Sequence, residues 1–480
     1  AAEKRAATNG ADLPRLRLNR DWPDEGHAWR ASNEANALNF SAIGYMFGRR
    51  IHRQLDDVPV GLILRARGGT MIQSLISDEG LRRDPIVRQR ITDRWDRYRS
   101  RYEQIQARVA RRPSHARPAN LADPQGSNAP SNQFREKIAP LIPYPLRGAV
   151  WYQGESDAWG FPIASGYERM LGALIEDWRR QWRDPSMYFA IVQLANYQPS
   201  EQDPPVVTGP WALVQEAQAK VAEDVNVGLA VAIDSEAETT HPRRKRDAAR
   251  RAADCALNDV YGHDVASRGP RPRAITIHGN EAHVRLDHAE GLHARGGEVS
   301  GVIIAGADRR FHHAEARIEG RTLIASSPRV PAPVAVRYAF WEASPYSLYN
   351  GAGLPAGPFR TDDWSWDIPA KGTPAVTGRQ AKQPPTIDGK LDDSAWENAA
   401  AATGFHVQHT YAQAPATTRT RVAWDDDALY LGFRCESEAV GGLNNAAERR
   451  DDRALWVGDY VEAVVDVDLD DRHYHRFAVT

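Results

Sequence analysis

The chain has 480 residues, of which 42% are hydrophobic and 26% are charged, and its formal net charge is -2. This length exceeds what one hydrophobic core usually serves, so we expect two or three domains. The near-neutral charge gives no electrostatic reason to expect nucleic acid or an anionic membrane as a partner, and no apolar run is long enough to span a bilayer.

The two cysteines, Cys255 and Cys435, lie far apart in the sequence. They predict neither a disulfide framework nor a Cys-based metal site, and we expect no metal and no cofactor. The first residues contain no Met and no signal-like apolar segment, and the last residues stop inside a strand-like pattern. We therefore expect a fragment of a longer protein.

Residues 41 to 262 alternate short apolar runs with amphipathic helical segments, which is typical of an α/β fold with a parallel sheet. Ser165 and Glu168 have the spacing of a capping box and predict the start of a helix. An Arg-rich stretch from Asp78 to Arg112 predicts helices on the surface. The predicted buried strands are Val58–Leu64, Gly148–Tyr152, Tyr188–Leu194 and Gly228–Ile233.

From about residue 272 the pattern changes to alternating apolar and polar residues between Gly and Asn turns, which predicts a compact β domain. Residues 369–385 are rich in Pro and predict a linker. The predicted division is an α/β domain at 1–265, a β-rich domain at 270–368, this linker, and a β-sandwich at 386–480.

Unusual residues directly after the predicted strands are candidates for a site, because ligands of open parallel sheets bind beyond the carboxyl ends of the strands. Gly68 and Gly69 follow the first of these strands, and paired glycines either expose backbone N–H groups for an oxyanion hole or form a tight turn. Gln153 follows the next strand and offers a side-chain amide to the same oxygen, or makes an ordinary loop hydrogen bond.

His241 is a candidate general base, with a capping or surface histidine as the alternative. Pro242 favours a helix that begins at that residue, and the helix would then hold the imidazole at its positive end and keep it neutral. A catalytic histidine needs an orienting acceptor. The candidate acceptors at strand ends are Glu155, Asp157, Asp234 and Glu238.

Several ordered blocks resemble the sialate O-acetylesterase family, which belongs to the SGNH-type hydrolases together with the related acetylxylan esterases. The resemblance implies an SGNH-hydrolase-like three-layer α/β fold with a parallel sheet, and a secreted or periplasmic protein that acts on acetylated glycans or polysaccharides. The matching blocks include Phe40–Arg49, Val58–Leu62, Gly68–Thr70, Ile138–Gly148, Trp151–Asp157, Val192–Asn196, His241–Lys245 and Pro333–Tyr338.

By this resemblance His241 is the base, Glu155 its acidic partner, and Gly68 or Gly69 with Gln153 the oxyanion donors. Relatives commonly carry an Asp just before the His, which this chain lacks, so Glu155, Glu238 and Asp234 remain alternatives for the acid. The family's nucleophilic Ser lies in a Gly-Gln-Ser-Asn-like block upstream of the region that matches Phe40.

No such block occurs in that position here. Ser127 lies in a similar tetrapeptide, but that tetrapeptide follows the Gly-Gly block and is in the wrong order. We therefore expect that the nucleophile and the central first strand are missing, that the sheet is incomplete at the N-terminus, and that the fragment does not hydrolyse esters.

The C-terminal residues resemble the start of family-nine-like carbohydrate-binding modules, through Ile387–Trp396 and Val422–Asp426. The resemblance implies an incomplete β-sandwich that binds sugar. Trp424 and Trp456 are candidates for stacking on sugar rings, while core packing is the alternative that we expect for Trp396 and Trp424.

The sequence thus predicts a carbohydrate O-acetylesterase that acts by acyl transfer. The rival interpretation is a non-catalytic carbohydrate-binding protein that keeps the esterase cleft. The sequence does not predict which acetylated sugar is bound or what oligomer forms.

Overall fold

Two compact units make up the described part of the chain. One contains the described residues of Ala1–Arg97 and Gln125–Trp364, and the other those of Tyr98–Pro124 and Ser365–Thr480. The computed structural model describes residues 16–20, 29–111, 126–197, 209–235, 239–341, 344–364, 377–397, 399, 401–403, 405, 417–436, 460–465 and 475–479.

The α/β part of the first unit contains six short strands, and its parallel strands confirm the predicted fold class. The four predicted strands are present but shorter than predicted, and two short strands near the N-terminus were not predicted. The six strands are β1 (Leu16–Arg20), β2 (Arg30–Ala31), β3 (Val60–Leu64), β4 (Gly148–Trp151), β5 (Tyr188–Val192) and β6 (Val227–Ala230).

Helices cover and connect these strands, and the segment from Asp78 onward is helical as predicted. The α-helices between β2 and β7 (Arg271–His278) are α1 (Glu34–Leu38), α2 (Ala42–Gln54), α3 (Asp78–Arg83), α4 (Pro85–Val87), α5 (Asp93–Arg111), α6 (Phe161–Ala164), α7 (Tyr167–Trp182), α8 (Pro210–Val221) and α9 (Arg246–Asp259), and the residues of α5 from Tyr98 onward belong to the second unit.

The strands form the middle of three layers. β5 is buried along its whole length, because it pairs in parallel with β4 on one side and β6 on the other. On one face lie α2 and α9; the alanines of α9 pack closely against β5 and β6, and α2 packs against α9 and β3. On the other face α7 presents an apolar stripe, and Trp178 of this stripe contacts Phe189 with ring centroids 5.9 Å apart. The predicted members of this stripe are all buried: Leu171, Leu174, Ile175, Trp178 and Trp182.

The parallel strands fall into two separate sheets within the described residues. β3 pairs with β1 only, in the order β2-β1-β3, and β4 pairs with β5 only, in the order β4-β5-β6. Val60 of β3 and Val150 of β4 nevertheless pack against the same cluster of buried residues from α2 and α9. The two sheets thus lie on one helical layer with a break between β3 and β4.

The first unit continues with antiparallel sheets after residue 270, as the alternating pattern predicts. The strands form sheets in the orders β12-β13-β8-β7, β11-β10-β14-β16 and β9-β15. These strands are β7 (Arg271–His278), β8 (Glu281–Asp287), β9 (His293–Ala294), β10 (Val302–Ala305), β11 (Phe311–His313), β12 (Glu315–Glu319), β13 (Thr322–Ser326), β14 (Ala335–Tyr338), β15 (Leu348–Tyr349) and β16 (Phe359–Arg360).

Two predicted helix starts are wrong. α7 begins at Tyr167 after the N-cap residue Gly166, and no side chain caps it, so the Ser165–Glu168 capping box does not form. α9 begins at Arg246, after Lys245, and not at Pro242. Basic residues are unfavourable at the positive end of a helix, and they occupy 243–246, which helps to explain why the chain turns irregularly there before the helix begins.

The second unit is β-rich. Arg379–Gln380 pair with Ala423 and Trp424, so this end of the predicted linker belongs to a sheet, while residues 369–376 lie outside the described residues. Its elements are β17 (Arg379–Gln380), α10 (Ser394–Glu397), β18 (Ala401–Ala402), β19 (Thr418–Trp424), β20 (Leu429–Cys435), β21 (Val461–Val465) and β22 (His475–Val479).

The two tryptophans of this unit that the structure describes have different environments. Trp396 is buried against Ala399 and Ala423, as expected. Trp424 is 41% exposed, so the expectation that it packs in the core is wrong. Trp424 is the last residue of β19, and its side chain is exposed there. Trp456 lies outside the described residues.

Candidate active site

The segment after β4 turns sharply at Gly154, and only a glycine fits there. Its φ of 145° is a conformation that other residues rarely adopt, and an added Cβ would lie 2.8 Å from Cγ1 of Val214. The turn leads directly into a short 3-10 helix at Glu155–Asp157. Gln153, Glu155 and Asp157 are thereby gathered at the carboxyl end of β4, where a parallel sheet binds its ligands.

The side chain of Gln153 joins two loops through a network of hydrogen bonds. Its Nε2 donates to the carbonyl oxygen of Thr70 at 2.8 Å and to the carboxylate of Asp157. Its Oε1 lies 2.9 Å from the hydroxyl of Tyr167, which also accepts from Nε1 of Trp151 at 3.2 Å. Because a side-chain amide has two N–H donors, both donors of Gln153 are occupied in this arrangement.

Asp157 is a buried carboxyl at the centre of the same network, with 1% of its surface exposed. It accepts hydrogen bonds from Gln153 and from the backbone N–H of Ile72, at 3.0 Å. Burial raises its pKa to about 6, and the nearby charge of Glu155 adds to this, although the two hydrogen bonds act in the opposite direction. Asp157 therefore holds the segment after Thr70 in place.

The glycine pair after β3 lies next to this network and is open to solvent. No atom lies within 4 Å of a Cβ added at Gly68 or Gly69, and Gly69 has a φ of 71°. Among the described residues, no acceptor bonds the backbone N–H of either glycine. These two N–H groups are therefore available to a ligand, in the loop whose Thr70 carbonyl accepts from Gln153.

Asn128 fixes the glycine loop from the other side. Its Nδ2 donates to the carbonyl oxygen of Gly69 at 2.8 Å, and its Oδ1 accepts from the N–H of Met71 at 2.9 Å. The segment that contains Ser127 thus lies against the glycine loop. The sequence order gave no reason to expect this contact.

Glu155 lies close to His241 and Lys245, two side chains of the segment between β6 and α9. Burial raises its pKa, and a backbone hydrogen bond and the charges of His241 and Lys245 act in the opposite direction. Lys245 lies over the ring of Tyr152, with Nζ 4.9 Å from the ring centroid, and burial lowers its pKa. The predicted base His241 and the predicted acid Glu155 thus lie close enough to interact electrostatically.

The position of His241 differs from the predicted one, because α9 begins after Lys245. His241 is exposed, and its backbone N–H donates to Oγ1 of Thr239 at 3.1 Å. It is held in an irregular turn before α9 rather than at the first residue of that helix. The helix dipole therefore does not act on it in the way that the sequence suggested.

Asp234 is engaged in a buried ion pair. Its two oxygens accept from Nη1 and Nη2 of Arg251 at 2.6 and 2.7 Å, and the hydroxyl of Tyr349 lies 3.2 Å from Oδ2. Burial opposes ionisation, but Arg251 and Tyr349 lower the pKa of Asp234 overall. Both oxygens are therefore occupied by partners other than His241. Glu238, a further alternative, lies outside the described residues.

Sequence reasoning missed several side chains that build this site: Asn128, Tyr167, Arg251 and Tyr349. Asn128 bonds to Gly69 and Met71, and Tyr167 bonds to Gln153, across separations along the chain that give no sign of these contacts. Arg251 had a usable signal, because an arginine on the buried face of a helix requires an acidic partner.

The described residues contain no cluster of three or more His, Cys, Asp or Glu side chains arranged to hold a metal ion. In the same part of the chain, no helix combines the length and the apolar character needed to cross a bilayer.

Comparison with known proteins places two regions of the chain in characterised families. The family described as "Carbohydrate esterase, sialic acid-specific acetylesterase" matches residues 131–251. The family described as "Carbohydrate family 9 binding domain-like" matches residues 387–478. The first match includes Gln153, Glu155 and His241, and the second falls in the second compact unit.

Individual relatives agree with these matches. The crystal structure of a carbohydrate acetylesterase from Xanthomonas citri is 30% identical, with a TM-score of 0.60, over 76% of this chain and 77% of that one. Sialate O-acetylesterase of Mus musculus is 27% identical over 295 residues, which are 55% of this chain and 50% of the mouse protein. The protein of the same name from Pongo abelii is 26% identical over 351 residues, 66% of this chain and 60% of its own length. The chain thus spans between half and two thirds of these two relatives.

Proposed function

The chain belongs to the sialic acid-specific acetylesterase family of carbohydrate esterases, and from this premise we propose that it forms the site that removes acetyl groups from sugar hydroxyls. The single observation that supports this most strongly is the convergence of the free Gly68 and Gly69 amides, Gln153, and the Glu155–His241 pair. These groups come from three different strand ends. Acyl transfer needs this combination of oxyanion donors, base and acid.

In this proposal His241 is the general base and Glu155 is its acidic partner. His241 takes the proton of the attacking hydroxyl and later returns it to the departing sugar oxygen, and the Glu155 carboxylate stabilises the imidazolium that forms between these steps. Glu155 lies close enough to His241 for the two groups to interact electrostatically, whereas both oxygens of Asp234 are bound by Arg251 and Tyr349. These contacts favour Glu155 over Asp234.

The proposed oxyanion donors are the N–H groups of Gly68 and Gly69, together with Gln153. The two glycine amides are unoccupied in the part of the chain that the structure describes, so they can bind a developing negative charge without losing another bond. Gln153 supports them by holding the Thr70 carbonyl. The amide of Gln153 can donate to the oxyanion only if it breaks its hydrogen bond to Thr70 or to Asp157.

We propose that the nucleophilic serine does not come from Ser127. In the described residues no serine hydroxyl bonds to the imidazole of His241. The break between β3 and β4 supports a further strand in this position, since among the described residues β3 and β4 each have one unpaired edge while packing against the same buried cluster. A serine at the carboxyl end of such a strand would lie between the glycine loop and Gln153.

The assay that tests this point is hydrolysis of 4-nitrophenyl acetate by the 480-residue chain and by its Ser127→Ala variant. We expect the same low background rate from both proteins. Turnover that is abolished in both Ser127→Ala and His241→Ala would show that Ser127 is the nucleophile and would overturn this part of the proposal.

The second unit is proposed to bind glycan through an aromatic surface, in agreement with its family match. Trp424 is an exposed aromatic ring of this unit and supports the proposal. A secreted or periplasmic location and an acetylated glycan or polysaccharide as substrate, with sialic acid or xylan as alternatives, are parts of the proposal that rest on the family resemblance.

A further inference from the structure

The helix α8 is buried along most of its length, yet it carries two glutamines among its buried apolar residues. Gln215 and Gln218 have none of their surface exposed. A buried amide lowers stability unless it makes hydrogen bonds. The bonds that these two side chains make therefore indicate why the helix is polar at these positions.

The side chain of Gln218 joins the segments that follow β4 and β5. Its Nε2 donates to the carbonyl oxygen of Gln153 at 2.9 Å, and its Oε1 accepts from the backbone N–H of Leu194 at 2.9 Å. Both partners are backbone atoms, so the two bonds fix the path of the main chain. That path runs along the edge of the sheet where the candidate site lies.

The same side chain lies against the sharp turn that leads to Glu155. A Cβ added at Gly154 would lie 3.3 Å from Nε2 of Gln218 and 2.8 Å from Cγ1 of Val214, four residues earlier in α8. Residues four apart lie on one face of a helix, so this face of α8 packs directly on the turn. Gln218 thus holds the carbonyl just before the turn, and Glu155 is the first residue after it.

The Gln153 carbonyl depends on Gln218 more than on its other neighbour. The hydroxyl of Tyr167 lies 3.1 Å from this carbonyl oxygen, but it also lies 2.9 Å from Oε1 of the same glutamine. A tyrosine hydroxyl has a single proton and can donate it to one of these two oxygens at a time. Gln218 donates to the carbonyl in either arrangement.

The helix that carries Gln218 is itself held in place by an ion pair. Arg360 of β16 donates from Nε to Oε1 of Glu216 at 2.7 Å, and from Nη2 to Oε2 at 3.3 Å. Its Nη1 lies 3.2 Å from Oδ1 of Asp362, whose side chain is almost completely buried. A bidentate pair of this kind fixes the relative position of its partners. α8 therefore presents Gln218 to the turn from a fixed position.

We propose that Gln218 is a positioning residue for the candidate active site. It fixes the turn at Gly154 and thereby places Glu155 beside His241. This rests on the proposed function, in which Glu155 supports the base. Gln218 lies beneath the turn and acts through the backbone, without contact to the reacting atoms.

The first measurement requires no catalysis. Gln218→Met removes both bonds with little change of volume, and carboxyl carbon NMR of the 480-residue chain follows the titration of Glu155. Because burial raises the pKa of Glu155, a loosened turn that admits water should lower this pKa toward its ordinary value. Gln215→Met is the matched control, because the amide of Gln215 donates to the Leu194 carbonyl and not to Gln153. Its Glu155 titration should match that of the parent.

The second measurement is release of acetate from an O-acetylated sugar by the protein expressed from its complete reading frame. Gln218→Met should lower kcat about tenfold to hundredfold with little change in KM, since a small displacement of a catalytic group has an effect of this size. Gln215→Met should lower kcat much less.

Gln218→Glu separates positioning from packing. A protonated carboxyl donates to the Gln153 carbonyl as the amide does, whereas an ionised carboxylate repels that carbonyl. The kcat of Gln218→Glu divided by that of Gln218→Met should therefore rise as the pH falls. If Gln218→Met does not fold, the kcat of Gln218→Glu relative to the parent should show the same rise.

An unchanged Glu155 titration in folded Gln218→Met would overturn the proposal, whatever the esterase assay shows. An equal loss of kcat in Gln218→Met and Gln215→Met, or a kcat ratio for Gln218→Glu that does not depend on pH, would also overturn it. A shifted Glu155 titration in a protein whose parent releases no acetate would retain the positioning role of Gln218 and count against the proposed esterase.

Discussion

Two opposing effects act on the pKa of Glu155, and together they set the ionisation state of its carboxyl group in the site. Burial raises its pKa, whereas Lys245 and the protonated form of His241 act in the opposite direction. Removal of either side chain should therefore raise the pKa of Glu155 further. Carboxyl carbon NMR of His241→Ala and Lys245→Ala measures this shift. An unchanged Glu155 titration in His241→Ala would show that the two groups do not interact.

Asp157 makes a second residue-scale prediction, on the pH dependence of stability. Its folded pKa is raised from 3.8 to about 6. A carboxyl with a raised pKa contributes stability that is complete below its unfolded pKa and is lost as the pH rises through its folded pKa. The free energy of unfolding should therefore fall by up to about 3 kcal/mol between pH 4 and pH 7.

Asp157→Asn cannot ionise and should lack this component. Urea unfolding followed by tryptophan fluorescence at pH 4, 5, 6 and 7 compares the two proteins. The same decline with pH in both would contradict the assignment to Asp157.

The sequence identified the residue types of this site but not their bonding. Each predicted site residue follows a strand directly or lies in a family-like block, so its place in the sequence is enough to identify it. These residues are Gly68, Gly69, Gln153, Glu155 and His241. The partners of an amide or a carboxylate depend on which distant segments fold against it. For that reason the occupied donors of Gln153 could not be predicted, and the sequence indicated only that Arg251 needs an acidic partner, not that this partner is Asp234.

At the scale of elements, α3 and α7 meet at a contact that permits only glycine. Asp177 of α7 accepts from the N–H and the hydroxyl of Ser77, at 2.7 and 2.8 Å, at the start of α3. A Cβ at Gly80 would lie 2.5 Å from Cγ of Asp177. The side chain of Asp177 is held by hydrogen bonds, so it cannot move away freely.

Gly80→Ala should therefore lower the free energy of unfolding by about 1 to 3 kcal/mol, as overpacking does. Gly172→Ala is the matched control, since Gly172 lies in α7 with open space around it, and should stabilise the protein by up to about 1 kcal/mol. Chemical denaturation measures both variants. A Gly80→Ala protein as stable as the parent would show that the contact is looser than described.

Strand and helix types were predictable from the sequence, whereas helix ends were not. The period of apolar residues predicted α7 and its buried stripe, because a packed face must follow the helical repeat. Its first residue depends on local turns, and Gly166 rather than Ser165 is the N-cap. The irregular turn that holds His241 before α9 has no periodic pattern, so the sequence placed that histidine wrongly at a helix end.

At the scale of the whole molecule, the second compact unit brings an exposed aromatic surface to a chain whose first unit carries the candidate site. Trp424→Ala should weaken binding to the target polysaccharide by about threefold to tenfold, since stacking of a ring contributes on this scale. Leu429→Ala is the control, because Leu429 lies opposite Trp424 and is also exposed but has no ring. Affinity electrophoresis in polysaccharide-containing gels compares them, and an equal loss in both variants would contradict stacking by Trp424.

The central claim is that the free glycine amides, Gln153 and the Glu155–His241 pair act together in deacetylation. Release of acetate from an O-acetylated sugar, by the protein expressed from its complete reading frame, measures this most directly. His241→Ala and Glu155→Gln should each lower kcat at least a hundredfold, as expected for loss of a base or its acidic partner. The control His263→Ala should retain full activity. Undiminished acetate release by His241→Ala would contradict the account.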